Sequence, residues 1–320
     1  MAQLETALGN DIYKAAELLR ANELVAIPTE TVYGLAGNAF SETAVKQIFH
    51  VKQRPANNPL IIHIHHTDAL SELVKEIPDE AKLLLDAFTP GPITFLLPKK
   101  DRVSDVLTAG LPDVAIRIPN HKLTLALLKE AALPIAAPSA NPYTYISPTS
   151  AEHVYKMLHG KIPYILDGGP CTLGLESTII GFPGGVPTLY RKGAITIEEI
   201  EAQIGKVRLA TTEKIVAPGM HLKHYSPKTR LILSDDPEQD IRNYQHQRTG
   251  FITYNTYSDA LATGDQVLLC QHDDFKTAGA NLYAAMHLMD SRNYDIIIAR
   301  KFPETGIGLS INDRLNRAKT

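Results

Sequence analysis

Apolar residues along the chain fall into short, nearly continuous runs separated by longer amphipathic stretches, and the two periods alternate almost from the start. Helical spacing predicts helices over about 10–22, 42–51, 67–76, 79–88, 121–132 and 149–158. Between them, LVAIP (24–28), PLIIHI (59–64), ITFLLP (93–98), VAIRIP (114–119), PIAAPSA (134–140) and YILDGG (164–169) read as strands. STIIGFPGGVPTLYRKG (177–193) reads as a hairpin turning at Gly184 and Gly185. After Gly205 the periodicity fades, and Pro218, Gly219 and Pro227 punctuate a stretch that reads as a linker over 206–229. From Arg230 a second alternation begins: strands LILSD, GFITYN, QVLLCQ and DIIIAR, with helices about 237–246, 276–291 and 310–318. The expectation is an α/β chain of two domains, 1–205 and 230–320.

Composition narrows the class. With 44% hydrophobic and 21% charged residues, the 320-residue chain is ordinary globular material, and a net charge of −3 argues against a protein that grips nucleic acid over its whole surface. Cys171 and Cys270 lie far apart and outside any C-x-x-C pattern, which fits a reducing compartment. No apolar run approaches the roughly 18 to 20 residues of a membrane span, and the N-terminus has the pattern of an amphipathic helix rather than a signal peptide. A soluble, cytoplasmic protein without membrane contact is expected.

Candidate chemistry gathers where strands end. In FHVKQRPANNPLIIHI (49–64), Lys52 and Arg54 precede Pro55 in what reads as an exposed turn; held stiffly, they could converge on a polyphosphate, or they could simply favour a helix C-terminus. AIPTETVYGLAG brings Thr29, Glu30, Thr31 and Tyr33 after a strand, as ligand contacts or as a helix N-cap by Thr29 or Thr31. His63 and His65 share a strand face, a possible metal pair without a third ligand, and a hydrogen-bonding His63 is preferred. Arg117 interrupts an apolar strand and needs either a structural carboxylate or a ligand's. Around APSAN, the small residues Ala136, Ala137, Ser139 and Ala140 admit a ligand to the backbone, with Ser139 and Asn141 as donors. Beyond Ser147, Thr149 and Glu152 read as a capping box that opens a helix and an anion site. Ser177, Thr178 and Arg191 sit at hairpin strand ends. The chain has no P-loop, dinucleotide fingerprint or H-E-x-x-H.

Taken in order, PTETVYGLA, KQRPANNPLIIHI, APSAN, SPTSAEHV, ESTII, YRKGAI and PGMHLKHYSP resemble the threonylcarbamoyl-AMP synthase family in its longer form. The resemblance implies a YrdC-like twisted mixed sheet with flanking helices and a smaller Rossmann-like α/β C-terminal domain. It implies a nucleotidyltransferase that makes L-threonylcarbamoyl-adenylate from L-threonine, bicarbonate or CO2, and ATP. The product would serve tRNA processing, through a separate tRNA threonylcarbamoyl transferase complex that modifies the adenosine beside the anticodon. ATP contacts implied by motif position are Lys52, Arg54, Asn58, Ser139, Ser147, Arg191 and Tyr225, joined by Asn141 as a further donor; Lys52 and Arg54 would carry the catalytic charge neutralisation. Threonine contacts are Thr31, His63, Arg117, Ser177 and the backbone near Ala137. Mg2+ would accompany ATP, with no protein metal site and no organic cofactor. The linker, with Gly219, His224, Tyr225 and Pro227, would act as a lid. Asp113 stands where the family more often has a small hydroxyl residue, and Tyr143 and Tyr145 where small residues are usual. The alternative reading is a module that holds an RNA backbone in the same basic pocket; the absence of Trp and the slightly acidic balance weigh against direct nucleic-acid binding.

Overall fold

The structure, a computed structural model, describes residues 4–211 and 224–320. In the first domain the elements run β1 (Ala7–Gly9), α1 (Ile12–Arg20), β2 (Val25–Ile27), β3 (Gly34–Asn38), α2 (Glu42–Lys52), β4 (Ile61–His63), α3 (Leu70–Leu73), α4 (Asp79–Phe88) and β5 (Ile93–Pro98). They continue with α5 (Asp105–Thr108), β6 (Asp113–Arg117), α6 (Lys122–Ala131), β7 (Ile135–Ala136), α7 (Ala151–Leu158), β8 (Tyr164–Leu166), β9 (Thr178–Gly181), β10 (Thr188–Arg191), α8 (Ile197–Ile204) and β11 (Arg208–Leu209). Their strands form one mixed sheet in the order β1-β8-β2-β3-β7-β4-β6-β5-β9-β10-β11. The second domain comprises β12 (Arg230–Ser234), α9 (Pro237–Asn243), β13 (Thr249–Thr253), β14 (Gln266–Leu268), α10 (Phe275–Asp290), β15 (Ile296–Arg300) and α11 (Ile307–Ala318). Its four strands are all parallel, in the order β12-β15-β13-β14. The mixed sheet and the smaller parallel sheet are the two-domain α/β architecture expected.

The period of two sorts side chains to the two faces of the large sheet. Ile62, Phe95, Leu97, Val114, Ile116 and Ile180 point into the main core, while Ile61, Leu96, Ala115 and Ile179 form a small apolar patch on the other face. That second face carries the site. Two residues along β4 from Ile61 comes His63, two along β6 from Ala115 comes Arg117, and two back from Ile179 comes Ser177. His63 and Arg117 are direct register partners in the parallel β4/β6 pair.

Several elements differ from the sequence expectation, each for a local reason. β3 is not expected because GLAGN lacks β-branched and aromatic residues, yet added Cβ atoms would meet Ala137 Cβ at 3.2 Å from Gly34 and Leu24 at 3.0 Å from Gly37. A side chain at either position would have to press its neighbours aside by a few tenths of an ångström. The helix expected over 67–76 is a 3₁₀ turn followed by α3, because Val74 turns extended and bridges Lys99. α7 is capped by Ser150, which accepts from the His153 amide; Glu152 pairs with Lys156 at 2.7 Å instead of closing a box with Thr149. The segment after Pro28 is no helix: Thr29 Oγ1 accepts from the amides of Thr31 and Val32 in a tight turn into β3. The hairpin expected over 177–193 forms as β9 and β10, turning through Gly184 and Gly185 at φ 60° and 76°. β11 adds Arg208 and Leu209 to the first sheet, so that sheet continues into residues expected to belong to the linker. Pro218 and Gly219 lie outside the described residues.

Candidate active site

A narrow cavity opens where β4 and β6 end, β9 begins and β10 ends. Its wall brings together Thr31, Arg54, His63, Arg117, Ala137, Ser139, Ser177, Arg191 and Tyr225 of the predicted set, with Thr29, Val32, Gly34, Ile61, Pro138, Glu176 and His224. Lys52, Asn58, Asn141 and Ser147 are not part of that wall. They are fully buried outside it: Lys52, Asn58 and Ser147 bond wall residues Ser139, Arg54 and Glu176, and Asn141 bonds Lys52, Pro142 and Tyr145.

Lys52 is the last residue of α2, and Gln53 closes the helix in the left-handed conformation at φ 53°, which turns the chain so that Arg54 faces the cavity. Neither cation lies in an exposed turn. Lys52 Nζ donates to the carbonyls of Ser139 and Asn141, pinning the small-residue loop. Simple helix capping does not describe it. Arg54 Nε donates to Asn58 O at 3.2 Å and Nη2 to Pro59 O at 2.9 Å and to Asn58 Oδ1. Burial, reinforced by the neighbouring Arg54 charge, pulls Lys52 well below its ordinary range; burial brings Arg54 down to about 10. Asn58 Nδ2 and Asn141 Oδ1 are buried without a partner.

Arg117 has a structural carboxylate, since Nη2 lies 2.7 Å from Glu30 Oε1 with both side chains buried. Nη1 donates to Thr31 Oγ1 at 2.9 Å and Nε to Gly91 O at 3.3 Å. Two of a guanidinium's five N–H groups are thereby hydrogen-bonded, which leaves one on Nη1 and the two of Nη2. The pair with Glu30 is a charge contact without a hydrogen bond: neither Glu30 oxygen has a hydrogen-bond partner, nor does Arg117 Nη2. Beside it His63 is buried with Nδ1 unpartnered, and burial together with the Arg117 charge lowers its pKa to about 3. It is a neutral imidazole. His65 is exposed, and among the described residues no cluster of three or more His, Cys, Asp or Glu could hold a metal.

On the opposite wall Arg191 donates from Nε to Ser177 O at 3.0 Å and from Nη2 to Ser177 Oγ at 2.9 Å, while Ser177 Oγ meets Thr94 Oγ1 at 2.7 Å. Glu176, next in the chain, accepts from Ser147 Oγ at 2.8 Å, from Tyr283 OH at 3.0 Å and from Arg314 Nε at 2.7 Å. Burial alone would raise the Glu176 carboxyl, but Arg314 and Arg191 prevail and hold it below its ordinary value. Sequence reasoning misses Glu176, Tyr283 and Arg314: the first lies inside ESTII with nothing local to mark it, and the others come from the second domain.

The returning strap closes the cavity. Tyr225 is buried at φ 65°, its ring 4.1 Å from His224, 5.6 Å from Tyr283 and 5.4 Å from the Arg314 guanidinium. The Ser226 amide donates to Thr144 O at 2.7 Å and the His224 amide to Arg317 O at 3.0 Å, fastening the strap to both domains. Tyr143 and Tyr145 build this rim: Tyr143 meets the His224 ring edge-on at 6.0 Å, and Tyr145 OH donates to Asp290 of α10. Asp113 starts β6, half-buried, and is not among the residues lining the cavity.

Arg54, Arg117 and Arg191 are 7, 4 and 7% exposed, which decides against the RNA reading: a polymer backbone cannot reach cations at that depth. Burial lowers Arg54, Lys52 and Arg191 alike, so an entering anion would reverse the penalty. Glu176, the carboxylate of the wall, and Glu30 beside Arg117 are each paired with an arginine. The residues therefore fit no protein-held metal centre. Among the described residues no helix is long and apolar enough to cross a membrane.

A mixed α/β sheet with a deep arginine-lined cavity at its strand ends, closed by a second α/β domain, defines an enzyme pocket for a small, multiply anionic ligand. The family model described as telomere recombination matches residues 17–193, and the threonylcarbamoyl-AMP synthase C-terminal domain matches 195–320. The chain is 45% identical to a threonylcarbamoyl-AMP synthase of Bacillus subtilis, over 96% of this chain and 92% of that one. It is 41% identical to one of Pyrococcus abyssi, over 95% and 92%. The crystal structure of P. abyssi Sua5 complexed with L-threonine superimposes with a TM-score of 0.92 at 40% identity, covering 98% of this chain and 97% of that one. The chain belongs to the threonylcarbamoyl-AMP synthase family.

Proposed function

We propose that the protein makes L-threonylcarbamoyl-adenylate from L-threonine, bicarbonate or CO2, and ATP, releasing pyrophosphate. The observation that carries this reading is the convergence of Arg54, Arg117 and Arg191 on one buried cavity, in a chain similar over nearly its whole length to a relative complexed with L-threonine. A carboxylate and a polyphosphate are the kinds of anion such guanidinium groups bind. The threonine amine captures CO2, forming an N–C bond and losing a proton. A carbamate oxygen then attacks the α-phosphorus in line, the bond from that phosphorus to the bridging oxygen breaks, and pyrophosphate carries the charge away. No covalent enzyme intermediate is needed, so catalysis is positioning and charge neutralisation.

In this reading Arg117 directs its remaining N–H groups at the threonine carboxylate, with Thr31, His63, Ser177 and the Ala137 backbone around it. Arg54, Arg191, Ser139 and Tyr225 meet the nucleotide, while Lys52, Asn58, Asn141 and Ser147 hold those groups from behind the wall. Mg2+ arrives on the ATP phosphates, where it would neutralise charge; the steps above use only the chain's own residues. The first domain, which runs through β11, is the catalytic domain and 230–320 the small domain, and the strap at His224–Ser226 keeps water from a labile carbamate and a hydrolysable anhydride. The adenylate then passes to the transferase complex that modifies tRNA.

The test is to incubate the purified protein with ATP, bicarbonate and each amino acid in turn. The expected result is pyrophosphate release and an adenylate that both depend on threonine. Release indifferent to the amino acid, or no adenylate with threonine and bicarbonate present, overturns the reading.

A further inference from the structure

Arg314 is 0% exposed, the largest fully buried side chain among the described residues, and most of its bonds leave its own domain. From α11 its Nε reaches Glu176 at 2.7 Å, its Nη2 reaches Lys192 O at 2.7 Å, and only Nη1 turns home to Asp313 at 2.8 Å. Ser310, one turn earlier on the same helix, donates to Gly193 O at 2.8 Å. Tyr283 of α10 donates to Glu176 at 3.0 Å. Two helices of the small domain thus grip the start of β9 and the end of β10 at the stretches that carry Ser177 and Arg191 into the cavity. Those stretches have little slack: a Cβ on Gly193 would meet Thr178 N at 2.3 Å and Glu176 O at 2.6 Å. The same two helices also seat the strap, through the contacts of Arg314 and Tyr283 with Tyr225 and of Arg317 O with the His224 amide.

We infer that the small domain is a working part of the cavity, with Arg314 and Tyr283 as positioning residues that hold Glu176, and through it Ser177 and Arg191, while seating Tyr225 above them. The inference deepens the proposed function and rests on it. Its physical basis is that Glu176 has both carboxylate oxygens saturated by three donors, two of them from the small domain, so its backbone cannot shift without breaking buried charged bonds. A domain-adhesion role alone would need neither the contact with a cavity-wall carboxylate nor the grip on both strands beside the Ser177–Arg191 pair.

The experiment uses the full-length chain with Tyr283→Phe and Arg314→Lys. Tyr283→Phe removes one hydroxyl and leaves the ring packed on Tyr225. The expected result is a kcat about tenfold lower for Tyr283→Phe and about a hundredfold lower for Arg314→Lys, with KM for either substrate changed less than about threefold. Amide hydrogen exchange at Thr178 and Ser226, bonded to Pro92 O and Thr144 O, should speed up at least about tenfold. Wild-type kcat and unchanged exchange in variants that lose only thermal stability overturn the inference. If Arg314→Lys fails to fold, Tyr283→Phe decides alone. If the wild-type chain makes no adenylate, the proposed function fails, and the exchange rates at Thr178 and Ser226 still decide this one.

Discussion

Arg54 gives three hydrogen bonds to Asn58 and Pro59, so it cannot be removed as a free ligand arm. Arg54→Ala should lose ATP binding and also destabilise the fold by about 1–3 kcal/mol, because buried acceptors lose their donors. Arg54→Lys keeps the charge and loses the fork, so it should retain more stability than alanine while still binding ATP weakly. Urea unfolding and calorimetry separate the two effects; unaltered ATP affinity in both variants would return Arg54 to a structural role. The histidines make a second prediction at this scale. His63 and His287 are held neutral by burial, with pKa values near 3 against an ordinary 6.5. The unfolded chain therefore binds more protons than the folded one between those values, and stability is lost as pH falls from 6.5 toward 3. From about pH 7.5 to about pH 5.5 each should cost about 1 kcal/mol, and His287→Gln should flatten the slope measured by denaturant titration. The types of residue needed were legible in the sequence: Arg117 stands out in an apolar strand, and His63 closes one. Their depth was not. Burial of Lys52 and Arg54 depends on Gln53 turning left-handed and on a loop that arrives about ninety residues later, as the Lys52 bonds to Ser139 and Asn141 require.

At the scale of elements, long periodic segments such as α1, α4, α6 and α10 and apolar runs such as β5 could be read directly, because their pattern is set by one large core. β1, β3 and β11 could not. They have three, five and two residues, and β3 has close packing around Gly34 and Gly37 in place of strand-forming residues. α7 is legible, but its cap lies one residue from the expected one, since Ser150 and Thr149 compete for the same role and only the chain's path into the helix selects Ser150. The β9–β10 pair gives the sharpest test at this scale. Gly193 lies just past β10, and a methyl group added there would have Thr178 N, Ser177 C and Glu176 O all within 2.6 Å. Gly193→Ala must push the two strands apart, so it should destabilise the chain by about 1–3 kcal/mol and lower adenylate synthesis more than an equally destabilising change in α4. A variant that unfolds at the wild-type urea midpoint with full synthesis would mean that the strand ends are slack.

At the scale of the whole molecule, the two domains were legible as two alternations of period. Their interdependence was not, because no local pattern records a contact such as those of Glu176 with Tyr283 and Arg314, 107 and 138 positions away. The second core cluster contains Val32, Ile146 and Leu175 of the first domain together with Tyr225, Leu282, Tyr283 and Met286. It straddles the boundary, whereas the main cluster around Ile62, Phe95 and Ile116 lies within the first domain. A chain ended near Lys206 keeps that main cluster and should remain folded, with a cooperative transition by circular dichroism. It also loses β11, exposes Val32, Ile146 and Leu175, and leaves Glu176 buried without Arg314, each of which lowers its stability relative to full length. The strap disappears with it, and so does the means of keeping water from the anhydride. Synthesis of the adenylate by the shortened chain should therefore fall at least about a hundredfold, and limited proteolysis of the intact chain between the domains should slow when ATP and L-threonine are both present. Tyr225→Ala in the full-length chain should reproduce part of the loss, since it removes the strap's buried ring while leaving Arg314 on Glu176. If the shortened chain made adenylate at the full-length rate, with proteolysis indifferent to ligands, the segment would be a tether and the cavity would be complete within the first domain.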